Sequence, residues 1–459
     1  MKSNRNAVSR RLHPNWILLG SFLLAIMIGA ILLAAPFSLH GGALSPVDAL
    51  FTATSAVCVT GLTVVDTGSR FTVTGQAILL ALIQLGGLGI MTYTTVVILV
   101  LGKRLSYKGR ELVHGTLSHR GGRGLYLLIR HVFMVTLLFE GVGCLLLYLR
   151  WRNDLPDSQA FYTALFHSVS AFCNAGFSLF AESFSHYRDD PWINAVVMLL
   201  IIAGGVGFLV LQEMREYAAA RLGRRERPRF SLHSRTVLMT TGILLIAGVI
   251  AFLGLEWHNA LEGLPWGKKL QVSFFQSVTP RTAGFNTVDF RLLTNGTLLF
   301  TILLMFIGAS PGSTGGGIKT TSFAILLSLA HSKWKARRDT FLFGRTVPGD
   351  TVGRSLALVL ISILIILVFT VVLMVSELGD LPHPESRGLF LEYLFEAVSA
   401  FGTVGLSTGV TPTLSATGKM AIMCLMFIGR LGPITIVLAI AGAPRERDFT
   451  YPEEDLMVG

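Results

Sequence analysis

The 459-residue chain is 52% hydrophobic and 14% charged, with a mean hydropathy of +0.62, which excludes an ordinary soluble globular protein. Its net charge of +11 does not make it a nucleic-acid binder, because its cations lie in loops between apolar segments, without a folded basic domain or binding motif. The cysteines Cys58, Cys144, Cys173 and Cys424 form no C-x-x-C pair and fall in apolar stretches, so buried free thiols are expected rather than disulfides or a metal site.

A basic arm with Lys2, Arg5, Arg10 and Arg11 precedes residues 16–35, which are nearly uninterrupted apolar residues and long enough to span a bilayer core. Ala34-Ala35 offers a loose signal-peptide cleavage point, but the segment is long for that role and completes a repeat, so it reads as a retained helix. Residues 51–61 then begin like a short helix and break at Gly61, and a second span follows over residues 76–101, with the small-residue run Q-L-G-G-L-G at 84–89. The same order of span, half-length helix, glycine and span recurs three times. Its spans cover 125–149 and 192–210, then 236–255 and 292–329, then 355–375 and 419–441.

The half-length segments read F-T-A-T-S-A-V-C-V-T-G from Phe51, F-H-S-V-S-A-F-C-N-A-G from Phe166, F-F-Q-S-V-T-P-R-T-A-G from Phe274 and F-E-A-V-S-A-F-G-T-V-G from Phe395. Their final glycines, Gly61, Gly176, Gly284 and Gly405, are 115, 108 and 121 residues apart, the signature of an internal repeat. The repeats divide the chain into 1–103, 104–230, 231–345 and 346–459. Backbone that leaves helical geometry at membrane depth must be buried in protein or line water. Four such breaks around one axis make a ring of carbonyls able to replace an alkali cation's hydration shell.

The four repeats resemble the Trk/Ktr/HKT superfamily of potassium transporters, and within it most closely the KtrB family, the membrane subunits of bacterial Ktr uptake systems. The resemblance covers the chain from Trp16 to the tail. Its most specific pieces are T-P-R-T-A-G-F at 279–285, I-G-A-S-P-G-S-T-G-G-G-I-K-T-T at 307–321 and F-I-G-R-L-G-P at 427–433. It implies an all-α polytopic membrane protein of four M1–pore helix–filter–M2 repeats in pseudo-fourfold arrangement around a central pore. It also implies a homodimer whose C-terminal tails, here ending at Gly459, engage the neighbouring subunit, and a cytoplasmic KtrA-type ring that binds ATP or ADP and regulates the pore.

The triplets Val59-Thr60-Gly61, Asn174-Ala175-Gly176, Thr282-Ala283-Gly284 and Thr403-Val404-Gly405 are the candidate selectivity filters. They would bind K+ through main-chain carbonyls, and none contains a carboxylate. In HKT relatives a serine at the first filter glycine accompanies sodium preference; all four positions here are glycine, which points to potassium. The competing readings are a Na+-preferring or Na+/K+-symporting HKT-like transporter, with Na+ as coupling or activating ion, a carrier for a larger solute, and an enzyme. No cofactor is expected. Arg281, beside the third filter, is expected to brace the pore helix through carbonyls or Glu396.

Ser310, Pro311, Gly312, Ser313, Thr314, Gly315, Gly316 and Gly317 interrupt a span with five glycines or prolines, which a helix interior does not tolerate. The resemblance implies that this stretch is an intramembrane gating loop, with Lys319 beside it and Arg430 against it. An arginine at mid-membrane costs about 2.5–3.5 kcal/mol on insertion scales, so it needs acceptors. Two enzyme-like matches fall in the same run. G-A-S-P-G at 308–312 mimics a nucleophile elbow, and 312–320 mimics a P-loop, but both lack the strand that such motifs need. Lysine and arginine number 26 on one side of the spans and 10 on the other, placing both termini in the cytoplasm; the resemblance implies a bacterial inner membrane.

Overall fold

The computed structural model describes residues 14–88, 122–222, 229–379, 381–433 and 435. The N-terminal arm, the far half of span 76–101, most of loop 102–130 and the C-terminal tail lie outside the described residues. The chain is mostly helical. The first repeat contributes α1 (Pro14–Ala34), α2 (Pro46–Val57) and α3 (Val73–Gly87), and the second α4 (Gly122–Trp151), α5 (Asp157–Phe172), α6 (Pro191–Val206) and α7 (Phe208–Leu222). The third contributes α8 (Leu232–Leu255), α9 (Trp266–Val278), α10 (Asn295–Phe306) and α11 (Thr320–Trp334), and the fourth α12 (Gly349–Leu378), α13 (Leu389–Gly402) and α14 (Ala416–Leu431).

The pore helices α2, α5, α9 and α13 have 12, 16, 13 and 14 residues, roughly 18–24 Å at the α-helical rise, short of the ~30 Å hydrocarbon core. Local chemistry starts them. Ser45 caps α2 by accepting from the Asp48 N–H at 3.1 Å, with Pro46 next to it, while Pro156 and Pro265 precede α5 and α9. The helix after each candidate filter also has a side-chain cap, from Thr72, Asp190, Thr294 and Ser415.

Eight spans were expected, the sixth of them broken at 310–317, and the structure shows a further break at Gly207. Among the described residues three helices are long and apolar enough to cross a membrane alone, Val132–Trp151, Leu232–Leu255 and Gly349–Leu378. Among the described residues the helices after the filters are short or broken. Helix α3 ends at Gly87; α6 and α7 meet at 105° across Gly207, inside what reads as one span at 192–210; α10 and α11 are separated by residues 307–319; and α14 ends before Gly432. Gly207 and Gly432 have φ of +99° and +84°, which glycine adopts without Cβ strain. Hydropathy reads through such breaks because one glycine hardly changes a window average.

The packing closes in a ring. Helix α3 packs on α5, α6 on α9, α10 on α13 and α14 on α2, so each repeat's last helix meets the next repeat's pore helix, and the fourth returns to the first. That last seam holds an ion pair between Lys419 and Asp48 at 2.7 Å. The pore helices are sheathed in core, with Phe51, Phe166, Phe275 and Phe395 buried. Helices α1, α4, α8 and α12 expose Ile31, Leu137, Ile246 and Leu364 among many apolar neighbours, a belt that only lipid or another subunit can cover. Cys58, Cys144 and Cys173 are buried free thiols as expected, but Cys424 is exposed, because it lies on the outer face of α14.

Candidate functional site

The four triplets share one backbone. Val59, Asn174, Thr282 and Thr403 have φ of +55°, +59°, +66° and +50°, and Gly61, Gly176, Gly284 and Gly405 have +91°, +70°, +77° and +91°. A left-handed residue that is not glycine costs roughly 1–2 kcal/mol, so this conformation at four matched positions is held by its surroundings. Left-handed residues on both sides of each central one turn successive carbonyls toward a common side. The glycines also define the ring. A Cβ on Gly61 would strike the Ala175 carbonyl, one on Gly176 the Ala283 carbonyl at 3.0 Å, one on Gly284 the Val404 carbonyl at 2.5 Å, and one on Gly405 the Thr60 carbonyl. Four backbones approach one axis in the order of the repeats.

Pore-helix side chains fix these loops. Ser55 and Ser399, each six residues before a glycine, accept from the Gly61 and Gly405 N–H groups at 3.1 and 3.2 Å. The matching Ser170 donates to the Phe177 carbonyl at 2.8 Å, and in the third repeat Thr279 donates to the Phe285 carbonyl. Beyond the filters, His167 accepts from the Leu179 N–H at 3.3 Å, and Gln276 donates to Thr287 at 3.1 Å. Glu396 accepts from Ser407, the Thr408 N–H and Thr411 at 2.5, 3.1 and 2.6 Å. Arg281 does brace through a carbonyl, but not through Glu396. Its guanidinium donates to the Thr241 carbonyl and hydroxyl on α8, both at 3.2 Å, because α8 and not α13 packs beside it.

Residues 310–317 form a loop folded back on itself. The Ala309 N–H donates to the Gly316 carbonyl at 3.3 Å, and Ile307 bridges Ile318. The second repeat holds it. Ser310 N–H donates to the Gly205 carbonyl at 3.0 Å, Thr314 N–H to the Gly204 carbonyl at 3.2 Å, and Phe208 N–H to the Gly312 carbonyl at 3.1 Å. Its buried part lies against the first filter residues: the Gly316 N–H donates to Thr403 Oγ1 at 3.0 Å, and a Cβ on Gly315 would strike Thr282. Lys319 donates to the Gly315 carbonyl at 2.8 Å. Arg430, 6% exposed, donates through Nη1 to the Thr314 carbonyl and through Nη2 to the Gly86 carbonyl, while its Nε has no partner among the described residues. On the opposite side of the ring lies a vestibule of about 510 Å³ with all four glycines in its wall, and Asp66, Glu182, Asp289 and Arg291 around it.

A family model described as TrkH, a cation transport protein, matches residues 10–451. The chain belongs to the TrkH family of cation transport proteins. It is 39% identical over 451 residues to the Ktr system potassium uptake protein B of Bacillus subtilis (strain 168), over 98% of this chain and 97% of that protein. It is 36% identical to the potassium/sodium uptake protein NtpJ of Enterococcus hirae, over 99% of each. The crystal structure of the potassium transporter TrkH from Vibrio parahaemolyticus matches with a TM-score of 0.73 at 18% identity, over 95% of this chain and 86% of that one. The TrkH-family chain is therefore a polytopic membrane protein of the cation-transporter type and shares that fold.

Within this TrkH-family chain the structure brings all twelve triplet residues into one ring, and Ser310–Gly317, Lys319 and Arg430 together beneath it. A second fourfold pattern was missed. Gly86, Gly204, Gly308 and Gly429 follow the filter glycines by 24 to 28 residues. A Cβ on Gly86, Gly204 or Gly429 would strike the carbonyl of Val57, Phe172 or Phe401 at a pore-helix end. The next residue is Gly87, Gly205, Ala309 or Arg430, so Arg430 fills a slot that is otherwise small. Aligning the repeats past their filters exposes that signal; reading 84–89 only as a helix-packing run does not.

Proposed function

We propose that this chain is the K+-translocating, channel-like subunit of a Ktr-type uptake system in the bacterial cytoplasmic membrane. One observation carries the reading: four matched backbones with paired left-handed residues, each glycine packed against the next repeat's carbonyl. Such a ring offers an alkali cation neutral oxygens in place of water, strong enough for entry and weak enough for exit. The names of the B. subtilis and E. hirae relatives support potassium as the ion. The vestibule faces outward and residues 310–317 face the cytoplasm, in keeping with the lysine and arginine imbalance.

In this reading residues 310–317 obstruct the path below the filter and Arg430 latches them. A guanidinium with five donors suits the Thr314 and Gly86 carbonyls. Two copies form a homodimer, and a cytoplasmic KtrA-type nucleotide-binding ring moves the loop; this chain holds no nucleotide. The test is Rb+ influx into a potassium-uptake-deficient strain with sodium varied. Saturable Rb+ influx that sodium competes with only weakly supports the assignment. Sodium influx exceeding Rb+, or influx requiring both ions, selects the sodium-preferring or symporting alternative, which the name of the E. hirae relative keeps open.

A further inference from the structure

The first residues of the four triplets share a backbone but not a chemistry. Val59 is apolar, Thr282 and Thr403 carry a short hydroxyl, and Asn174 alone has an amide with reach. Asn174 is fully buried. Its Nδ2 donates to the Ala171 carbonyl at 3.1 Å and the Ile201 carbonyl at 3.2 Å, while its Oδ1 accepts from Thr282 Oγ1 at 3.2 Å. The opposite amide orientation would set its oxygen against two carbonyls. One side chain thus ties the second triplet to the third triplet and to α6.

Both ends of that tie reach the loop at 310–317. Three and four residues after Ile201, the Gly204 and Gly205 carbonyls accept from the Thr314 and Ser310 N–H groups at 3.2 and 3.0 Å. Gly204 is open to this approach only without a Cβ, which would lie 2.9 Å from the Asn174 amide. At the other end, Thr282 is the side chain that Gly315 packs against. Loop, α6 end, amide and filter base form a closed circuit of buried contacts, hydrogen-bonded except where Gly315 packs on Thr282, whose members do not shift independently.

We propose that Asn174 couples the loop to the filter, so that ion discrimination depends on where the loop sits. Asn174 is a positioning residue, and the idea rests on the filter and gate assignments above. When the loop withdraws, the Gly204 and Gly205 carbonyls lose their donors and the end of α6 relaxes. The Ile201 carbonyl then leaves Nδ2, and the amide no longer holds Thr282. The second and third triplets then keep only their Ser170 and Thr279 clamps, while the first and fourth are untouched. A residue that merely anchors its pore helix, through Ala171 alone, would not transmit the loop's position.

Asn174→Val is the variant to use, because Val59 already occupies the matched position at φ +55°, so the backbone accepts a β-branched side chain there. Asn174→Asp is its companion; it keeps the acceptor for Thr282 and loses both donors. Each is combined with deletion of residues 314–316, and folded protein in the membrane is quantified for every variant. Rb+ influx and Rb+/Na+ competition are then measured. Coupling predicts that the deletion raises influx in both backgrounds and lowers Rb+/Na+ preference about tenfold in the parent. In Asn174→Val and Asn174→Asp, whose preference has already fallen, the further loss is at most about twofold. Equal fold-losses in both backgrounds, or parental selectivity in Asn174→Val, overturn the coupling. A deletion that raises influx in neither background overturns the gate assignment, and the coupling with it, and is told apart by influx rather than by selectivity.

Discussion

At Gly61 two constraints coincide: φ is +91°, and the place of a Cβ is taken by the Ala175 carbonyl and, at 2.9 Å, by Gly176 Cα. Serine there must therefore strain the backbone and push the ring apart, besides placing a hydroxyl beside the ion path. Gly61→Ser is expected to lower Rb+/Na+ preference about tenfold and to destabilise the protein by roughly 1–2 kcal/mol. Gly242→Ala in α8, where a Cβ meets nothing within 4 Å, is expected to be neutral or stabilising by up to about 1 kcal/mol. Competitive uptake and thermal unfolding in detergent compare the two. In the vestibule, hydrogen bonds from Arg291 hold the Asp289 carboxyl below its usual range. A lowered folded-state value means that the ion pair persists above the ordinary carboxylate range and is lost only as pH falls through the lowered one. Asp289 therefore stays ionised between pH 5 and 8, about one unit or more above its ordinary value, and adds no pH dependence there. Arg291→Ala unmasks that carboxylate and is expected to raise influx at low Rb+ a few-fold at low ionic strength. The gain should vanish near 1 M salt, where the screening length is about 3 Å; a gain that survives such salt would rule out an electrostatic origin.

The elements that matter most are broken ones. Pore helices of 12 to 16 residues and the break at 307–319 put irregular backbone at one depth, where its polar groups are met by other repeats: residues 310–317 bond to Gly204, Gly205 and Thr403. Glycine repeats made the first kind of break legible, and the P-G-S-T-G-G-G run made one of the second kind legible. The Gly207 bend stayed hidden because its flanks are as apolar as any span, and its role depends on a partner about 100 residues away, Gly312. At this scale the gate assignment makes its own prediction. Arg430→Ala removes two charge-assisted bonds from the loop and the end of α3, each worth roughly 1.5–3 kcal/mol. It should raise maximal Rb+ influx about tenfold. Deleting residues 314–316 should raise it further and make influx less dependent on the cytoplasmic partner. Folded variants that conduct no faster than the parent would remove both assignments.

Across the whole molecule, the four repeats make a pore only if the fourth closes on the first. That closure combines the packing of α14 on α2 with the half-buried Lys419–Asp48 pair at 2.7 Å. Every other seam joins repeats adjacent in the chain, so this one bears the loop-closure entropy of the entire domain. Asp48→Asn is expected to cost roughly 1–3 kcal/mol and to lower selectivity along with stability. The exchange Asp48→Lys with Lys419→Asp should restore most of both, by melting temperature and Rb+/Na+ competition. Failure of the exchange to recover either property would show that charge pairing does not hold the seam.

The sequence by itself determined the class, the fourfold repeat and the twelve triplet residues, from apolar runs long enough for a bilayer and glycines recurring where a helix must stop. Resemblance to the Trk/Ktr/HKT superfamily placed the loop under the ring. Tertiary structure decided the partners. That Arg281 meets Thr241 and not Glu396, that Cys424 faces outward, and that Asn174 reaches both Thr282 and Ile201 depends on which helices lie side by side. A side chain's type states what it can bond, while the helices packed beside it decide what it does bond. Thr241 lies 40 residues from Arg281 within one repeat, and Thr282 lies 108 residues from Asn174 in the next, separations over which local pattern carries no register.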